Sequence, residues 1–248
     1  MVVIKSPEEI AIMRQCGKIW ATLMQKLRKE IKAGSKTQQL DVMVARELDE
    51  LGAKASFKGY QGFPSHLCVS VNGEVVHGIP GERVLEEGDI VSLDLGVSYR
   101  GFHADGAITV GIGEVSRQAK ELMAATEGSL QAGIAAARCG GHLGDISAAI
   151  QSYVESRGFS VIREYTGHGV GRALHEEPQV PNFFSGTKGI LLRKGMTLAI
   201  EPMVSAGDWR TKLAPNQWTV LTADGSLSAH FEHSIAITET GTEILTQS

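Results

Sequence analysis

Apolar residues at Ile10, Met13, Trp20, Ala21 and Met24, with Gly17 among them, recur at helical spacing, which predicts a helix over 6–30. Ser6 can cap it, Pro7 suits its first turn, and Glu9 completes a capping box. Ala33-Gly34-Ser35 breaks the pattern. Leu40, Val44 and Leu48 then mark a second helix that stops at Gly52. Between Ala55 and Gly81 the period shortens, and 68–72 and 74–77 read as strands ending at Gly78-Ile79-Pro80. Residues 88–95 form a buried strand carrying Asp94 near its end. A turn at Tyr99-Arg100-Gly101 leads into a partner strand over 102–110, so Asp94 and Asp105 fall on two arms of one hairpin. Helices over 116–137 and 145–157 flank the break at Cys139-Gly140-Gly141. Strands follow at 195–203, where the run meets Pro202, at 218–222 and at 229–237.

This pattern repeats. Gly88 precedes Asp94 by six residues and Gly195 precedes Glu201 by six, each opening an apolar strand that ends in an acid. A second acid follows each, Asp105 and Glu232, and each half is preceded by two helices. The reading is two pseudo-symmetric halves that build one site between them.

Composition narrows the class. A chain of 248 residues with 42% hydrophobic and 21% charged residues suits a globular fold, and a formal charge of −4 argues against a general nucleic-acid surface. The cysteines Cys16, Cys68 and Cys139 are odd in number and scattered, which predicts a reducing, cytoplasmic setting. No basic, apolar leader and no run of about 20 apolar residues is present, so neither export nor membrane insertion is expected.

The chemistry gathers at Thr166-Gly167-His168-Gly169-Val170-Gly171, followed by His175. A histidine between glycines presents an open ring edge, although a glycine-rich turn that happens to hold histidine is the plainer reading of that segment alone. Asp94, Asp105, Glu201 and Glu232 all lie on or beside apolar strands. Taken singly, Asp94 reads better as a hairpin-end acid and Asp105 as a turn acid, Glu201 reads as a strand terminator, Glu232 as a solvent-facing acid and His77 better as a half-buried histidine. Together they call for compensating positive charge, because buried carboxylates are rare unless paired or bound to metal. Four carboxylates and an imidazole suit two divalent ions, which can activate a water and polarise a carbonyl, as amide hydrolysis requires.

The run Thr166–Asn182, together with Val75-Val76-His77-Gly78-Ile79-Pro80, Asp94 and Asp105 eleven apart, Glu201-Pro202-Met203 and Ser226–His233, resembles the type I methionine aminopeptidases of peptidase family M24. The resemblance spans nearly the whole chain. It implies an α+β pita-bread fold, a pseudo-symmetric antiparallel sheet with helices on its outer face, in a single catalytic domain over 1–248. It implies metal ligation by Asp94, Asp105, His168, Glu201 and Glu232, with Asp105 and Glu232 shared between two ions of cobalt, manganese or iron. It assigns Glu201 the further role of general base, and gives His77 and His175 contacts to the substrate amide and to the tetrahedral intermediate. Tyr60, Phe63, Cys68 and Trp218 would line the methionine pocket, and Asn72 and Ser228 match a position for a monovalent cation. The implied substrates are nascent polypeptides beginning with methionine and a small second residue. They would be met by a monomer, in transient association with the ribosome and without nucleic-acid or membrane binding. Phe57, Leu174 and Gly106 depart from the family pattern, at the pocket and beside Asp105. A prolidase or aminopeptidase P would carry a further N-terminal domain, for which the helix beginning at Ser6 leaves no room. A non-catalytic relative would have lost metal ligands, and all five are present.

Overall fold

Ser6 starts the first helix through the reciprocal bonds its sequence predicts. The Glu9 N–H donates to Ser6 Oγ at 3.3 Å, and the Ser6 N–H donates to the Glu9 carboxylate at 2.9 Å. The helix α1 (Pro7–Glu30) buries Met13, Trp20, Leu23 and Leu27, and α2 (Thr37–Glu50) buries Leu40, Val44 and Leu48. The second pair is α3 (Arg117–Ala136), capped by Ser116, and α4 (Leu143–Glu155), which begins two residues before its expected start. The computed structural model describes residues 2–247; Met1 and Ser248, the ends of the expected 1–248 domain, lie outside the described residues.

The central sheet is antiparallel throughout. Its order is Glu176–Pro181, Thr166–Gly169, Thr197–Ile200, Glu232–Ile237, Gly106–Gly111, Ile90–Asp94 and Cys68–Val71, with Thr242–Ile244 also paired to Glu232–Ile237. The repeat is visible in this order. The halves meet where Glu232–Ile237 pairs with Gly106–Gly111. Outward from that seam come Thr197–Ile200 and Ile90–Asp94, then Thr166–Gly169 and Cys68–Val71.

Each half also continues into a three-stranded side sheet, made of Lys54–Ala55, Val97–Tyr99 and Phe102–Ala104 in the first and of Ser160–Val161, Met203–Ser205 and Ser228–His230 in the second. Three expected long strands are therefore broken in two. The run 102–110 divides at Asp105, 195–203 at Glu201-Pro202, and 229–237 at Phe231. Side chains replace the ladder at these joints. Asp105 N donates to Ser234 Oγ at 2.8 Å, while Asp105 O accepts from Ser234 Oγ at 2.8 Å and from Ser234 N at 3.1 Å. Pro202 has no N–H to give, and the Glu201 carbonyl accepts from Asn182 Nδ2 at 3.0 Å. The expected strand at 218–222 starts only at Val220, leaving Trp218 in the preceding loop. It pairs with Glu74–Val76 and so brings Trp218 toward His77.

Strand alternation separates core from site. Leu93 and Leu95, on either side of Asp94, join a hydrophobic cluster with Trp20, Leu122, Ile150, Leu198 and Ile235, which spans both halves and the helices. Asp94 points to the opposite face, into a cavity.

Candidate metal centre

The cavity has a volume of about 330 Å³, and Asp94, Asp105, His168, Glu201 and Glu232 all line it, with His77 and His175 on its walls. The acids reach it because they sit where the chain leaves the central sheet for a side sheet. His168 arrives from the middle of a strand, flanked by glycines whose φ angles are not in the left-handed region. The glycines serve close approach instead. A Cβ at Gly167 would lie 2.4 Å from the Ala199 carbonyl oxygen, and one at Gly169 would lie 2.3 Å from that of Glu177.

His168 Nε2 stands 3.5 Å from Glu201 Oε1 and 3.8 Å from Asp105 Oδ2. Its Nδ1 lies 2.8 Å from the Gly169 carbonyl, which assigns the proton to Nδ1 and leaves Nε2 as the free donor. Burial, and then the neighbouring His175, hold the His168 ring down at about 3, so it is neutral, the form that binds metal. The acids move the other way. Burial lifts Asp105 to about 7. Burial first, and then repulsion from Asp105, raise Asp94, Glu201 and Glu232 well above the ordinary carboxylate range.

These residues fit divalent ions. Asp94 Oδ1 and Glu232 Oε1 are buried without a hydrogen-bond partner among the described residues. Donor atoms of Asp105, His168 and Glu232 lie within 4.8 Å of one another. Among the described residues no lysine or arginine lines the cavity, so charge balance at neutral pH must come from bound cations or from protons.

His77 holds φ at +59°, a left-handed conformation that a non-glycine residue rarely adopts. It lines the cavity with its pKa pushed down to about 4 by burial, then by His175. His175 packs edge-on against His168, with ring centroids 4.2 Å apart, and its Nδ1 meets the Tyr60 hydroxyl at 2.8 Å. Tyr60, Phe63, Cys68 and Trp218 share the same cavity, and so do Phe57 and Leu174. Phe63 touches Trp218 edge-to-face at 5.3 Å. Burial, then the Asp94 charge, push the Cys68 thiol well above its ordinary value, so it lines the wall as a neutral thiol. Asn72 and Ser228 lie apart from the cavity, joined by a 2.9 Å bond from Ser228 N to the Asn72 carbonyl.

The absence of a side chain at Gly106 has a local cause. A Cβ there would lie 2.7 Å from the Trp20 indole, whose Nε1 donates to the Gly106 carbonyl at 3.0 Å. The ring occupies the space of a hydroxyl side chain. Trp20 reads in the sequence only as one more apolar helix position, and nothing in the pattern links it to the site. His230 is a second residue that the sequence reading left aside. It is 1% exposed, with Nε2 3.7 Å from Glu232 Oε2 and 4.0 Å from Glu201 Oε2. Alternation was the available signal, since His230 lies two positions before Glu232 and so on its face of a strand.

Comparison with known proteins places this geometry. The model of metallopeptidase family M24 matches residues 11–239. Methionine aminopeptidase 1 of Bacillus subtilis is 51% identical over 247 residues, covering 100% of both chains. The crystal structure of methionine aminopeptidase from Thermotoga maritima superposes with a TM-score of 0.98 at 49% identity, again over 100% of both chains. The prolidase of Pyrococcus furiosus shares the fold, with a TM-score of 0.82 at 21% identity, but this chain covers only 66% of it.

Proposed function

The chain belongs to metallopeptidase family M24, and from that membership we propose that it is a methionine aminopeptidase, a hydrolase that removes the N-terminal methionine from polypeptides. Its fold is the α+β pita-bread fold that its structural neighbours share. The observation that carries the reading is the convergence of four carboxylates and a neutral imidazole on one cavity that also holds an apolar wall. Asp94, Asp105, His168, Glu201 and Glu232 would hold two divalent ions, with Asp105 and Glu232 shared between them. When bound, such ions acidify a water and polarise a carbonyl.

The side chains supply the rest. The thioether enters the wall formed by Tyr60, Phe63, Cys68 and Trp218, an apolar and adaptable surface. His77 and His175, both neutral at pH 7, donate to the scissile amide and to the oxyanion that develops on its carbonyl oxygen. Glu201 takes a proton from the attacking water and returns it to the leaving amine, two transfers that one positioned carboxylate can make in turn. A bulky second residue meets the histidine rim, which restricts substrates to those with a small second side chain.

The same reading extends outward. Residues 1–248 act as a single catalytic domain and as a monomer in the cytoplasm, on nascent chains, in transient association with the ribosome. The ions are cobalt, manganese or iron, and a monovalent cation sits near Asn72 and Ser228. No described helix is long and apolar enough to cross a membrane. The test is a panel of Met-Ala, Met-Lys and Xaa-Pro peptides with each metal in turn. Metal-dependent cleavage of Met-Ala, with Met-Lys and Xaa-Pro spared, is expected. Equal cleavage of Met-Lys, or full activity in a preparation free of metal by elemental analysis, would overturn it.

A further inference from the structure

His230 is a fully buried imidazole with nothing to bond to. Neither ring nitrogen has a hydrogen-bond partner among the described residues. Leaving such groups unpaired costs roughly 1–3 kcal/mol each, so a native protein gives them a partner. The two nearest acceptors are carboxylate oxygens, at 3.7 Å on Glu232 and 4.0 Å on Glu201. Both are too far for a hydrogen bond, which needs about 2.7–3.2 Å. The backbone of His230 is held from both sides by one hydroxyl. His230 N donates to Thr109 Oγ1 at 2.9 Å, and Thr109 Oγ1 donates to the His230 carbonyl at 2.8 Å. Thr109 Oγ1 also meets Ser92 Oγ at 2.8 Å. The ring is therefore carried at a fixed place beside the acids.

The spacings match those of donors sharing one ion. Two donors each about 2.1 Å from a divalent ion lie roughly 3.0–4.2 Å apart, depending on the angle between them. His168, on the other side of Glu201, shows the same spacing, at 3.5 Å and 3.8 Å from its carboxylate neighbours. Glu201 thus stands between two imidazoles, with Oε1 toward His168 and Oε2 toward His230. Donor atoms of Glu201, His230 and Glu232 lie within 4.8 Å of one another, as do those of Asp105, His168 and Glu232.

We propose that His230 is a sixth donor side chain of the metal centre, offering Nε2 to an ion held with Glu201 and Glu232. Ligation gives Nε2 the partner it lacks and puts the ring proton on Nδ1. A second nitrogen donor makes the centre softer than a site with one imidazole, which favours transition ions over magnesium.

The proposal rests on the metal-centre reading above, and the experiment separates the two. Cobalt(II) is added to the full-length protein, and binding is followed by calorimetry and by proton NMR of the paramagnetically shifted imidazole N–H signals, with the histidines labelled with nitrogen-15. Cobalt binding with two shifted imidazole N–H signals that both persist in a His77→Ala, His175→Ala double variant, which removes the two other histidines of the cavity, supports His230 as a donor. A His230→Gln variant then keeps one signal and binds cobalt at least about tenfold more weakly at one site. Binding with a single signal in the wild-type protein overturns the His230 assignment and leaves the metal centre standing. No binding at all overturns both. The spectrum of that double variant decides the question even if the His230 variant fails to fold.

Discussion

Removing the ions makes stability depend on pH in a direction that the burial of Asp105 sets. Asp105 is 4% exposed, and burial lifts its carboxyl from an ordinary 3.8 to about 7. The unfolded chain titrates near the ordinary value. Between the two values the metal-free folded protein keeps a proton that the unfolded chain has released. The stability this group contributes is therefore complete below about 4 and is lost as pH rises through about 7. At about 1.4 kcal/mol per pH unit, the interval from pH 5 to 7 is worth roughly 3 kcal/mol. That figure is a ceiling, since water entering the cavity weakens the burial. For a domain of this size it corresponds to about 6–12 °C in melting temperature. Asp94, Glu201 and Glu232 shift in the same direction but repel the same neighbours, so only Asp105 is counted.

Six histidines oppose this trend, His103 and His175 among them, both held below their ordinary value by burial first. His77 and His233 are pushed down to about 4 and His168 and His230 to about 3, all by burial first, so their contributions grow as pH rises toward 6.5. They are neutral in the folded protein with or without metal, and they cancel when the two forms are compared. The quantity to measure is the gap in melting temperature between manganese-loaded and metal-free protein, by calorimetry at pH 5, 6, 7 and 8 and fixed metal concentration. The gap is expected to widen from pH 5 to 7. A gap independent of pH across that range would refute the burial argument.

Four substitutions probe separate parts of the site. Glu201→Gln is expected to fold, retain at least one ion and lose at least about 10²-fold in rate; near-normal turnover of the metal-loaded variant would move the base elsewhere, with His175 the next candidate. His77→Ala and His175→Ala are each expected to keep both ions by elemental analysis while losing roughly 10²–10³ in rate, the usual effect of removing one oxyanion donor; loss of metal would mean the ligand set is wrong. Gly106→Ser is expected to lower stability by about 1–3 kcal/mol in urea denaturation, because its Cβ would press on the Trp20 indole. The loss should shrink in a Trp20→Leu background, and an equal loss there would show that the clash lies with another group.

Much of this protein could be read before any coordinates. The helices follow from period and capping, and the two matched strand–acid units foretell a sheet built twice. The acids among the five proposed ligands were visible because four carboxylates on apolar strands, each ordinary alone, together call for compensating positive charge. What escaped was set by contacts across the fold. Nothing local marks Asp105 or Phe231 as a break in a strand, since the break at Asp105 is made by Ser234, more than a hundred residues away. Trp20 looked like ordinary core, although its ring fills the space beside a proposed ligand. His230 carries no local mark, and only burial without a hydrogen-bond partner among the described residues sets it apart.

The seam between the halves has a consequence for how the protein comes into being. Asp94 and Asp105 belong to the first half, while His168, Glu201 and Glu232 belong to the second. The central sheet joins them when Glu232 and His233 pair with Ala107 and Gly106, strands more than a hundred residues apart in sequence. Closing so long a loop is entropically slow, and chains dominated by such contacts form them late. During synthesis the first half emerges with two of the four carboxylates and without His168, and Glu232 follows more than a hundred residues after Asp105. The acids therefore spend most of that time hydrated and unpaired, and hydrolytic capacity arrives in one step with the last strands rather than building up along the chain.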